Sequence, residues 1–383
     1  MSQPLFELHG AGYNNRGGQL MLRTTAARLR ERGAAVCMES LPGDRVGDGI
    51  LPLFPSVRPL PRAKPVAVFF RLSRLVGRVL PPSTSYARRR DPRGLVDISG
   101  YAFGDTWGAR RAANFADRCR YYKKQNKPVV LLPQMLGPFE DPAVGKAFRE
   151  VVELADRIYA RDTLSLEAVR TLGGADRSTV RLAPDLTIFL ADHPEPADDG
   201  GSPYVCVVPN MRVLDSGRDK DAWRPVYMNR LEAACRRMEG RGLAVKVVVH
   251  DASGDDRQLA EELAGRLPDA TLVSDPDPLV LKSVLGGAQL VVGSRFHALV
   301  GALSMGVPAV ALGWAHKYRM LLSDFGLPDC IHGPSDAEEH LLELVDRLVD
   351  EGDAARATIQ ESLDRMRPQN QAMWDDVFEV LGV

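Results

Sequence analysis

The stretch best suited to chemistry is Val291-Val292-Gly293-Ser294-Arg295-Phe296-His297-Ala298-Leu299. An apolar strand ends at Gly293-Ser294 and a helix begins, so Arg295 and His297 fall at a strand-to-helix turn whose free backbone N–H groups already favour an anion. Ligands of open α/β sheets bind at this end of the strands. Arginine offers a planar fork to phosphate or carboxylate, and histidine can hold a phosphate oxygen or move a proton near neutral pH. The alternative is a helix cap beside a core histidine. After the next strand, Gly313-Trp314-Ala315-His316-Lys317-Tyr318 reads equally as a further anion contact through Lys317 and as a surface loop.

The first half has its own polar strand ends. Asp97 to Gly108, with Asp105 inside it, Leu132-Pro133-Gln134, Ala160-Arg161-Asp162 and Ala183-Pro184-Asp185 each put an amide or carboxylate directly after an apolar run. That is the manner of sites that hydrogen-bond sugar hydroxyls. Near the start, Gly10-Ala11-Gly12-Tyr13-Asn14-Asn15-Arg16-Gly17-Gly18 is a glycine-rich turn between the first strand and helix. It lacks the GxGxxG spacing of a dinucleotide site.

Short β-branched runs alternating with amphipathic stretches must position these residues. Strands are expected at 129–132 and 157–160, with helices at 144–155 and 164–172. This rhythm marks βαβ units and a parallel sheet. It breaks at 192–203, a Pro-, Gly- and Asp-rich run where neither helix nor strand persists. Beyond it strands are expected at 204–208, 244–249, 270–273, 290–292 and 309–312, and helices at 227–241, 255–267, 278–285 and 296–305. The reading is α/β with two Rossmann-like doubly wound domains, 1–192 and 203–353, followed by a helical tail, 354–383, expected to cross back to the first domain.

With 383 residues, two cores are the default. Lys plus Arg, 49, nearly cancels Asp plus Glu, 50, which gives no reason to expect a nucleic acid partner. The five cysteines are scattered singly, and no Cys/His spacing fits tetrahedral zinc, so no metal is expected. The first residues lack a secretory signal and no run of roughly 18 apolar residues occurs, which makes the cytoplasm the default location. The segment 58–93 is strongly basic against the single acid Asp91. It reads either as a docked helix with a solvated basic face or as a basic amphipathic helix resting on anionic lipid.

Taken together these residues resemble the polysaccharide pyruvyl transferase family. The likeness runs through Asn15-Arg16-Gly17-Gly18, Leu-Pro-Gln-x-x-Gly-Pro-Phe at 132–139, Ala-Arg-Asp-x-x-Ser at 160–165, Ala-Pro-Asp at 183–185 and Gly-Ser-Arg-Phe-His-Ala-Leu at 293–299. It implies a GT-B-like fold with two domains facing a cleft, the first for the acceptor and the second for the donor. It also implies phosphoenolpyruvate as donor substrate, no cofactor, and a pyruvate ketal formed on two hydroxyls of a sugar or oligosaccharide, free or lipid-linked, in exopolysaccharide or cell-envelope synthesis. By this carry-over Arg295, His297, Arg212, Ser294 and Lys317 bind the donor, and Asn15, Asp105, Gln134, Asp162 and Asp185 bind the acceptor. His297 is the candidate acid or phosphate ligand and Asp105 or Asp162 the candidate base. Gly18 stands where many members have Asp in an Asn-x-Gly-Asp turn, which departs from the pattern.

Two other classes compete. The small-residue helix and Gly-Val-Pro at 301–310 also resemble a nucleotide-sugar glycosyltransferase, which would need an acidic pair beyond that helix where this chain has His316-Lys317. A non-catalytic sugar- or anion-binding protein is the third reading.

Overall fold

A computed structural model describes residues 3–13, 15–39, 47, 49–53, 91–173, 178–198, 200, 203–217, 219–251, 254–313 and 316–383. Residues 58–90 of the basic segment 58–93 thus lie outside the described residues. The chain divides into two compact units, Met1–Tyr13, Met21–Asp185 and Ala372–Val383 in the first, Asn14–Leu20 and Leu186–Gln371 in the second.

The first unit is built on an all-parallel sheet of β1 (Leu5–His9), β2 (Ala35–Glu39), β3 (Leu51–Leu53), β4 (Gly94–Asp97), β5 (Tyr101–Phe103), β6 (Val129–Leu136), β7 (Arg157–Ala160) and β8 (Val180–Leu182). Its order is β3-β2-β1-β4-β6-β7-β8, with β5 beside β6. Every residue of β6 is buried. Such a run follows from covering a parallel sheet on both faces, which removes the polar half of the usual alternation. The helices Ala109–Lys123 and Pro142–Leu154 contribute Phe115, Tyr122, Phe148 and Val151 to this core. The second helix starts where Asp141 accepts from Ala143 N at 2.8 Å and Pro142 tolerates the missing donor.

The second unit repeats the architecture with β9 (Tyr204–Val208), β10 (Ala244–Val249), β11 (Thr271–Ser274), β12 (Val291–Gly293), β13 (Ala309–Leu312) and β14 (Ile331–His332). The order β11-β10-β9-β12-β13-β14 is that of a doubly wound sheet. In both sheets the chain first winds outward from one central strand and then returns to that strand's other side. The crossovers after β1 and β4, and after β9 and β12, therefore diverge and leave room at the carboxyl ends.

The units part at Asp185/Leu186 rather than within 192–203. Ile188 and Phe189 pack into the second core, so the apolar run before the Pro- and Gly-rich stretch follows its burial, not its place in the chain. The last helix begins at Gly352 and ends at Leu381. Its final residues belong to the first unit, where Asp376 accepts from Arg157 Nε at 2.6 Å and Nη2 at 2.9 Å and from the Tyr159 hydroxyl. Trp374, Val377 and Phe378 are buried there. Among the described residues no helix is long and apolar enough to cross a membrane.

Candidate functional site

In the second unit β12 lies so close to β9 that a Cβ at Gly293 would sit 3.0 Å from Val208 Cβ and from its carbonyl oxygen. The chain then passes through Ser294 and Arg295, which is extended at φ −94°, ψ 115°, and enters the helix Phe296–Leu303. This turn lies at the β9/β12 switch point. Ser294 is fully buried and held from three sides. Its carbonyl accepts from Asn210 Nδ2 at 2.7 Å and the Tyr318 hydroxyl at 2.6 Å, and its hydroxyl accepts from the Tyr227 hydroxyl at 2.8 Å. Ser294 is thus a fixed part of the turn, occupied by internal bonds.

Arg295 is anchored by two aspartates. Nη1 lies 2.8 Å from Asp251 and Nε 2.5 Å from Asp256, whose other oxygen accepts from Met211 N at 2.9 Å. Burial opposes the charge of Arg295, but the hydrogen bond and the charge of Asp256, with Asp251, outweigh it and hold the guanidinium above its ordinary pKa. These bonds use Nε and Nη1, and the hydrogen bonds found among the described residues do not extend to Nη2. The guanidinium is therefore oriented before any ligand arrives, which is the arrangement that stabilises developing charge without reorganisation. The two carboxylates more than cancel the charge of the one guanidinium, so what Arg295 supplies is direction and not a net positive field.

Arg212 follows β9 at the same switch point, with its side chain 57% exposed and paired to Asp215 at 3.1 Å. Lys317 lies over the rings of Phe296 and Tyr318, 5.5 and 5.2 Å from their centroids. Beyond β10, His250 is buried and its pKa is pushed down to about 3, first by desolvation and then by His297, Arg295 and Arg16. The glycine-rich turn counts with this unit as well. Asn15 accepts from the amides of Gly17 at 2.9 Å and Gly18 at 3.2 Å and so starts the helix Arg16–Glu31. A Cβ at Gly17 would come within 2.0 Å of His297 Nδ1. The glycine is required because the histidine fills that space.

The first unit has a second constellation at its own switch point, between β1 and β4. His9 Nδ1 lies 2.6 Å from Asp97 Oδ1. Asp97 is fully buried and also accepts from Ser99 Oγ at 2.8 Å and from Gln134 Nε2 at 2.8 Å. A carboxylate can only accept, so Nδ1 carries the proton and Nε2 is left as the basic nitrogen. The His9 ring stacks on Phe115, with centroids 4.9 Å apart, and its side chain remains 29% exposed. Gly10, at φ 96°, allows this approach, since a Cβ there would meet Ser99 Oγ at 1.9 Å. His9 is absent from the residues expected from sequence, and Asp97 appears among them only as the start of the polar stretch 97–108, without a role of its own. The rule that selects Arg295 would have found His9, which ends an apolar strand before a glycine turn.

The expected acceptor carboxylates are engaged in holding backbone and side chains. Asp105 accepts from the amides of Glu140 at 2.9 Å and Asp141 at 3.2 Å. Asp162 caps the helix Thr163–Leu172, accepting from Ser165 N at 2.7 Å and Ser165 Oγ at 2.9 Å. Asp185 is buried and takes a bond from Arg161 Nη1 at 3.2 Å. Gln134 is buried with its amide nitrogen on Asp97, while Oε1 has no hydrogen-bond partner among the described residues. The structure gathers Gln134 with His9 and Asp97 and sets Gly17, in the turn that Asn15 holds, against His297, but gives Asp105 a loop to hold and Asp162 a helix to cap.

The family model for polysaccharide pyruvyl transferase matches residues 15–316. The amylovoran biosynthesis protein AmsJ of Erwinia amylovora is 20% identical over 309 residues, covering 75% of this chain and 73% of AmsJ. Among solved structures, a UDP-GlcNAc 2-epimerase from Neisseria meningitidis bound to UDP-GlcNAc superposes with a TM-score of 0.58 at 10% identity, covering 99% of each chain. Phytolacca americana UGT2, complexed with UDP-2fluoro-glucose and pterostilbene, gives 0.57 at 15% identity, covering 99% of this chain and 100% of that one. At these identities the two structures speak for the GT-B fold and nothing further.

Proposed function

This chain belongs to the polysaccharide pyruvyl transferase family, and on that premise we propose that it transfers pyruvate from phosphoenolpyruvate to two hydroxyls of one sugar in a glycan or glycan precursor. A hydroxyl attacks C2 as C3 takes a proton, phosphate departs, and the second hydroxyl closes the ketal. Of the two hydroxyl protons, one ends on the new methyl group and the other on the released phosphate. The attack needs a base, C3 an acid, and the phosphate and carboxylate oriented cationic donors.

The observation that carries this reading is the fork of Arg295, fixed by Asp251 and Asp256 at the β12 turn with His297 on the following helix. Arg212 supplies the second cation at that switch point, and His297 serves as acid or phosphate ligand. For the base we assign His9 in place of Asp105 or Asp162. Its Nε2 is free of the bond to Asp97, whereas both oxygens of each aspartate already accept hydrogen bonds. Asp97 orients the ring and stabilises the imidazolium that forms.

Thermal melting of the purified chain with phosphoenolpyruvate, and separately with UDP and a panel of nucleotide sugars, tests the donor, because a ligand that prefers the native state raises the melting temperature. A shift with phosphoenolpyruvate that is lost in Arg295→Ala is expected. A shift with UDP and none with phosphoenolpyruvate would instead make the protein a nucleotide-sugar enzyme.

A further inference from the structure

Away from these residues, His332, Asp336 and His340 come together at the edge of the second sheet. β14 ends at His332, a turn carries Asp336, and His340 lies in the first turn of the helix Glu338–Asp350. Strand order places β14 two strands from β12, roughly 10 Å across the sheet. The donor and acceptor chemistry above uses none of the three.

Their spacing is that of ligands around one small ion. His332 Nδ1 and His340 Nδ1 are 3.4 Å apart, His340 Nδ1 and Asp336 Oδ2 are 3.6 Å apart, and all three ligand atoms lie within 4.8 Å of one another. Two nitrogen or oxygen ligands held at about 2.0–2.1 Å from zinc at the tetrahedral angle are about 3.3–3.4 Å apart. Two edges therefore match already, and Asp336 is exposed enough for its carboxylate to close the third.

An imidazole–imidazole hydrogen bond alone explains this arrangement less well. At 3.4 Å it would exceed the usual range of roughly 2.7–3.2 Å for a hydrogen bond from nitrogen. His332 is itself fully buried, near Trp223 at 6.1 Å between centroids, and its Nε2 has no hydrogen-bond partner among the described residues. The surroundings hold the other ligands in place. Gly333 N donates to Asp336 Oδ2 at 2.7 Å, and Arg230 donates to the Asp336 carbonyl at 3.2 Å. The charge of Arg230 is met by Glu338 at 2.8 Å, which limits its repulsion of a cation.

We propose that His332, Asp336 and His340 bind one divalent transition-metal ion of the zinc type through the two Nδ1 atoms and an Asp336 oxygen, with water in the fourth position. The ion ties β14 to the helix Glu338–Asp350 and braces that edge of the second unit.

The test uses the untagged full chain, stripped with chelator and titrated with cobalt(II) and with zinc(II). One equivalent of cobalt should give the visible absorption of a tetrahedral ion, zinc should displace it, and zinc should raise the melting temperature. His340→Ala and Asp336→Asn alter side chains that are about half exposed, so both variants should fold, and each should weaken binding at least about tenfold. His193→Ala, outside the cluster, should bind as the parent does. The proposal fails if the parent takes up no metal at micromolar concentration, or if both cluster variants bind as tightly as the parent.

Discussion

Asp97 Oδ1 lies 2.6 Å from His9 Nδ1, although the two residues are 88 positions apart in the chain. The parallel pairing of β1 with β4, which places His9 opposite Asp97, creates the dyad. If His9 is the base, His9→Ala should lower kcat for phosphate release from phosphoenolpyruvate by about 10²–10⁴-fold, the range of a lost general base. The melting temperature should change little, because the ring is partly exposed. Asp97→Asn should produce much of the same loss with His9 still present. Unaltered turnover in His9→Ala would remove the residue from the mechanism.

Arg295→Ala should weaken use of the donor by at least about 2 kcal/mol, roughly 30-fold in kcat/KM for phosphoenolpyruvate. It also leaves Asp256, almost fully buried, without its cation. A loss of stability is therefore expected in the same variant, and Asp256→Asn in the Arg295→Ala background should recover part of the stability but none of the activity. Denaturant unfolding of the parent and the two variants beside steady-state kinetics separates the two effects.

Acid should destabilise the fold through His250. Its imidazole titrates near about 6.5 in an unfolded chain, whereas desolvation, followed by His297, Arg295 and Arg16, pushes it down to about 3 in the folded protein. As pH falls the unfolded state takes up the proton first, so the stability present above about pH 6.5 drains away toward the folded value. In His250→Gln the fall in melting temperature across this window should be shallower than in the parent. Equal slopes would show that other groups govern the acid response.

Gly17→Ala should reduce activity without weakening the helix that contains it. Alanine favours a helix by about 1 kcal/mol over glycine, yet its Cβ would lie 2.0 Å from His297 Nδ1 and 2.2 Å from Cγ, so the ring has to move. A fall of at least about tenfold in kcat/KM with an unchanged or raised melting temperature is expected. A fully active variant would mean that His297 can shift without consequence.

Asp376→Ala should destabilise the protein by about 1–3 kcal/mol, since Arg157 and Tyr159 would lose an acceptor in a mostly buried place. Activity per folded molecule should be kept. Urea unfolding followed beside phosphate release checks both halves of the statement.

The features legible along the chain are those set by neighbours in sequence. Buried parallel strands read as apolar runs such as Val129–Leu136 and Tyr204–Val208, turn residues close them, and Arg295 and His297 stand out because a strand end followed by a helix start is a local pattern. The family likeness rests on the same short motifs. What a polar residue does at such a position is decided by atoms far away in sequence. Asp97 and Asp162 both directly follow or end apolar strands, but Asp97 meets His9 and Gln134, while Asp162 meets the amide and hydroxyl of Ser165 three residues on. Arg295 likewise depends on Asp251 and Asp256, which are brought to it by the pairing of β9 with β10 and β12 and by the helix Gly254–Gly265. The order of strands cannot be read from periodicity, since every buried strand has the same pattern. Only the packed sheets decide which strand ends meet, and so which of many similar carboxylates orients a histidine or an arginine and which merely caps a helix.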